Sequence, residues 1–109
     1  MPTYLTQIPY WAGNITVTST AATIISLIQA QSPDVNGACS QLNLQTDSLQ
    51  SSAINIGQDN VSGTVYGYSM ATPFTARNYN AGSLNMTIPL ERMFVWAASS
   101  QILHVELYI

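Results

Sequence analysis

The chain has 109 residues, 47% of them hydrophobic, with two cations, five carboxylates and a net charge of −3. Displacing counterions from phosphates needs clustered Lys and Arg. With no lysine at all, the composition argues against nucleic acid or an anionic membrane as partner, and no apolar run approaches the roughly 20 residues that span a bilayer. Charged residues make up 6% of the chain, against roughly 25% in an average soluble domain. Wetting the surface falls to Ser, Thr, Asn and Gln, 39 residues in all, which hydrate well and repel nothing. Dispersed charge is what keeps small domains apart, so the expectation is a homo-oligomer made to pack against neighbours.

The length predicts one domain. Cys39 is the single cysteine, which leaves no intrachain disulfide and no thiolate metal cluster. The opening Met-Pro-Thr-Tyr-Leu-Thr lacks the basic start and apolar stretch of a signal peptide, and synthesis in a cytoplasm is expected.

Residues 1–13 hold Pro2, Pro9 and Gly13 among Tyr4, Leu5, Ile8, Tyr10 and Trp11. Prolines at that spacing disfavour helix and central strand alike. They predict an extended N-terminal arm, with residues 14–109 forming the folded domain. Asn14 to Thr18 alternates Ile15 and Val17 with polar residues and reads as a short strand. From Thr20, the expected N-cap, Ala21 to Gln31 puts Ile24, Leu27 and Ile28 at helical spacing; Ile25 falls off that face, and a buried strand fits the run as well. Ser32-Pro33-Asp34-Val35-Asn36-Gly37 is a loop with Asn-Gly as its turn signal.

Everything beyond that loop reads as β. Ala38 to Thr46, Ser52 to Gly57 and Thr64 to Ala71 are predicted strands, and Gly57 to Gly63 and Asn78 to Gly82 predicted loops. Ser83 to Ile88 carries Leu84, Met86 and Ile88 on one face, and Pro89 stops that strand or marks an edge. Met93 to Ala98 and Ile102 to Ile109, separated by Ser99-Ser100-Gln101, are expected to close the chain as a hairpin. Six or seven short strands with one short helix predict an all-β fold, a single antiparallel β-sandwich or jelly-roll-like domain, because each alternating strand has one apolar face to bury.

No catalytic, cofactor or metal site is expected. His104, the one imidazole, lies between Leu103 and Val105, sharing its face with Ile102 and Glu106, and reads as an ordinary strand histidine. Cys39 has no predicted cationic neighbour to activate its thiol. Asp47 and Asp59 fall in turns, where Asp bonds local backbone, and Gln58-Asp59-Asn60 lacks the alternating acids of a calcium loop. Tyr4, Tyr10 and Trp11 differ, because they sit in an arm too irregular to make a core. Aromatic anchors are favoured at interfaces, and these three are the candidate subunit contacts.

From Thr20 onward the chain resembles a class of small tailed-phage virion proteins. The residues that carry the likeness are Leu42-Asn43-Leu44-Gln45, Ile54-Asn55-Ile56-Gly57 followed by Asp59-Asn60-Val61-Ser62, Val65-Tyr66-Gly67-Tyr68, Ser83-Leu84-Asn85-Met86-Thr87-Ile88, and the closing Met93-Phe94-Val95-Trp96-Ala97-Ala98-Ser99 with Ile102-Leu103-His104-Val105. Residues 1–13 have no counterpart, and Arg77 to Asn80 look longer than the usual loop. The resemblance implies a non-enzymatic β-sandwich homo-oligomer of the virion, a trimer first, made in the host cytoplasm. It would act in capsid decoration or cement, stabilising the shell against the major capsid protein or other virion proteins. Two alternatives stand beside it: a receptor- or glycan-binding sandwich, and a head–tail or fibre-attachment adaptor.

Overall fold

A computed structural model describes residues 10–81 and 87–108. The domain is all-β with one short helix and two facing antiparallel sheets. The first sheet holds β1 (Trp11–Val17), β10 (Gln101–Tyr108), β4 (Gln41–Thr46) and β7 (Ala76–Asn80), in that order. The second holds β2 (Ala22–Thr23), β9 (Phe94–Ala97), β5 (Ile54–Gly57) and β6 (Tyr68–Met70), while β3 (Ala38–Cys39) and β8 (Ile88–Pro89) pair separately.

Strict alternation sets the layers. In the first sheet Ile15, Val17, Leu42, Leu44, Leu103, Val105 and Leu107 all point inward and are buried. Ile54, Met70, Val95 and Ala97 oppose them from the second sheet, and Ile24 and Ile28 of helix α1 (Ile24–Gln29) complete the core. Because side chains alternate with a period of two, a slip of one residue would turn this whole set to solvent, so burial fixes the register.

The elements depart from the sequence reading in several places. The helix is capped by Thr23, not Thr20: Thr23 Oγ1 accepts the Ser26 N–H at 3.2 Å, and Ser26 Oγ donates back to the Thr23 carbonyl at 2.8 Å. Asn78 to Asn80, expected in a loop, belong to β7. Their polar side chains suit an edge strand exposed on one side, and ladder bonds to β4 outweigh the poor β propensity of Asn. Of the strand expected at Thr64 to Ala71 only Tyr68–Met70 forms. The last two strands make no hairpin, because β9 and β10 lie in different sheets and Ser99-Ser100 crosses between them. Pro89 does sit at an edge, opposite Ala38. Within the strand expected at Ser83 to Ile88, residues 83–86 lie outside the described residues.

β1 begins at Trp11, three residues ahead of the strand start expected at Asn14. Trp11 packs against the chain's own core and its Nε1 donates to Ser32 Oγ at 3.0 Å. The indole folds over Gly13, where an added Cβ would lie 2.8 Å from two ring carbons. Gly13→Ala should therefore displace the indole and lower stability by about 1–2 kcal/mol, read by thermal unfolding together with a change in tryptophan fluorescence.

Candidate functional site

Three loops meet where β4, β6 and β9 end: residues 47–53, 71–75 and 98–100. Neutral hydrogen bonds lock them together. Thr46, fully buried at the end of β4, donates its hydroxyl to the Thr72 carbonyl at 2.7 Å and accepts the Thr75 N–H at 2.8 Å. Gln50 Nε2 donates to the Met70 carbonyl at 2.7 Å, and Gln101 Oε1 accepts the Ser51 N–H at 2.9 Å. Loops held this way present their side chains with little ordering left to lose on binding.

What they present is apolar. Leu49 is 85% exposed, Phe74 66% and Ile102, at the start of β10, 43%. Phe74 follows Pro73 and has φ 59°, the left-handed value that the third residue of a type II turn requires and that normally selects Gly or Asn. An L-residue there costs about 1–2 kcal/mol. The phenyl ring recovers little of that by packing at home, and a strained residue held in place by its surroundings points to function. Leu49 and Ile102 line one depression of about 200 Å³, with Gln50 in its wall. Gln50 Oε1 is the buried side-chain oxygen without a hydrogen-bond partner among the described residues. Asp47 is the only charged residue on these loops.

Asp47 is also the partner of His104. On the outer face of β10, His104 Nε2 lies 2.8 Å from Asp47 Oδ1 and Nδ1 lies 2.5 Å from Asn14 Oδ1. A protonated ring donates to both oxygens; a neutral ring keeps its proton toward Asp47 and turns the Asn14 amide to donate to Nδ1. Either way both nitrogens are engaged within the chain, so neither is aimed at a nucleophile. The sequence reading had the face of His104 right, with Ile102 and Glu106 beside it, and missed both partners, which are distant in sequence.

The Leu49 N–H and the His104 ring, in that order, hold the Asp47 carboxyl below its ordinary value of 3.8. A lowered folded-state pKa stabilises the fold fully above the unfolded value and loses that contribution as pH falls through the folded value. His104→Gln removes one of these causes, so the small stabilisation from Asp47 should be lost at a higher pH than in the parent as acid is added, measured by urea unfolding across an acid series.

Tyr10 is exposed at the opposite end, where Val65 and Tyr66 are exposed as well. Tyr4 lies outside the described residues. Trp11 is committed to its own sandwich, as described above. Cys39 is buried, and burial pushes its thiol up to about 11. No group of three or more His, Cys, Asp or Glu is gathered for a metal among the described residues. Phe74 and Leu49 were missed by the sequence reading, although an aromatic directly after proline in Thr72-Pro73-Phe74-Thr75 signals a turn that displays its ring. No protein-family model, curated protein or solved structure matches the chain.

Proposed function

We propose that the chain is a non-enzymatic bacteriophage virion structural protein, a capsid decoration or cement protein that docks through the Leu49–Phe74–Ile102 end. The observation that carries this is Phe74, a strained and exposed aromatic on a loop locked from below by Thr46. Support comes from the resemblance to virion proteins and from the near-absence of surface charge. Self-association, as a trimer first, is assigned to the opposite end, where Tyr10 is exposed. The partner is the major capsid protein or a neighbouring virion protein.

The test is add-back. Particles assembled without the chain should regain resistance to heat when it is supplied, and Leu49→Ser/Phe74→Ser should fail to restore it. No gain in resistance from the unmodified chain would overturn the reading.

Because exposed ion pairs contribute at most about 1 kcal/mol each and the docking loops carry one charge, salt should matter little. Affinity for particles should change by less than about threefold up to roughly 0.5 M salt, where charges are fully screened, as measured by co-sedimentation.

A further inference from the structure

The outer face of the first sheet was not needed for docking, and its register builds a second surface. Directly opposed residues form rows across the four strands. One row reads Asn14, His104, Gln45 and Ala76; the next reads Ala12, Glu106, Asn43 and Asn78. All of these but Asn78 line an open cleft of about 510 Å³, within the range of small-ligand sites.

The chemistry of the cleft is uniform. It holds amides, one carboxylate and one imidazole, with alanine at opposite ends of the two rows, where a larger side chain would close it. Part of the polar set is spent on holding itself in place. Asn43 Oδ1 accepts from Asn78 Nδ2, Glu106 Oε2 accepts the Tyr108 hydroxyl at 3.2 Å, and His104 is fixed by Asn14 and Asp47. Among the described residues Gln45, exposed between His104 and Ala76, makes no such internal bond, and the second oxygen of Glu106 makes none either. A donor-plus-acceptor amide diagonally across from a carboxylate acceptor suits hydroxyls spread along one edge of a ligand, each of which both donates and accepts. Glu106 and Asp47 are the charges on this face, so an anionic ligand meets repulsion and finds no permanent cation.

We infer that this cleft binds a neutral saccharide. The inference is independent of the docking end, so either can fail without the other. The probes are neutral oligosaccharides (maltoheptaose, cellohexaose and a mannan-derived set) with sialyllactose as the anionic comparison, titrated into the labelled full chain and followed by NMR. Binding should shift the side-chain amides of Gln45 and Asn43 and the ring of His104. Gln45→Ala should weaken it about tenfold, Ala76→Trp should abolish it by filling the cleft, and Leu49→Ser should leave it unchanged. The inference is overturned if no neutral oligosaccharide shifts these resonances at about 10 mM, well above the millimolar range of weak ligands. Shifts that map elsewhere, or sialyllactose binding as tightly as the neutral set, overturn it equally.

Discussion

Phe74→Gly should raise stability slightly while destroying docking. Glycine adopts φ 59° freely, which relieves about 1–2 kcal/mol of left-handed strain. Its looser unfolded chain takes back roughly 0.5–1 kcal/mol, leaving a net gain of up to about 1.5 kcal/mol. Docking moves the other way. Truncating a central aromatic at an interface often costs 2 kcal/mol or more, so affinity for particles should fall at least about thirtyfold, and further where several subunits bind together. Paired urea unfolding and particle-binding curves check both halves. A variant that loses stability and keeps its affinity would show that the ring serves the fold.

Thr46→Val should be the most damaging change to the docking loops. Valine has the same shape, so packing is kept and only the hydroxyl is lost. That hydroxyl bonds the Thr72 carbonyl and the Thr75 N–H; the carbonyl keeps the Thr75 hydroxyl at 2.7 Å, so the half-buried Thr75 N–H is the group left unpaired, at a cost of about 1–3 kcal/mol. Thr46→Ser, which keeps the bonds and gives up a methyl group, should lose only about 1 kcal/mol. Amide exchange should accelerate at Thr75 in the valine variant and not in the serine variant. Equal losses in the two would place the value of Thr46 in its methyl group instead.

The two-layer β fold was legible because burial writes itself into alternation: Ile15 and Val17, Leu42 and Leu44, and Leu103, Val105 and Leu107 all point where the pattern puts them. What failed were features decided by distant partners. β7 is polar throughout except Ala76 and Tyr79, and nothing local announces that β4 will supply its ladder. Ser99-Ser100 looks like a hairpin turn, and only the competing pairings of β10 with β1 and β4 send it across to the other sheet. Trp11 was assigned to an arm, yet Ser32 and the space above Gly13 draw it home. How the loops of the proposed docking end come together was not legible for a related reason, since they are held by bonds between residues 20 to 50 positions apart, such as Gln50 to Met70 and Ser51 to Gln101.

On the proposed function, the Leu49–Phe74–Ile102 end of the sandwich faces the virion. Cryo-electron microscopy of particles decorated by the added chain tests it most directly. The expected density has Leu49, Phe74 and Ile102 against the shell, with Tyr10 and Tyr66 pointing away from it. Density that places the Tyr10 and Tyr66 end, or the outer face of the first sheet, against the shell would contradict it.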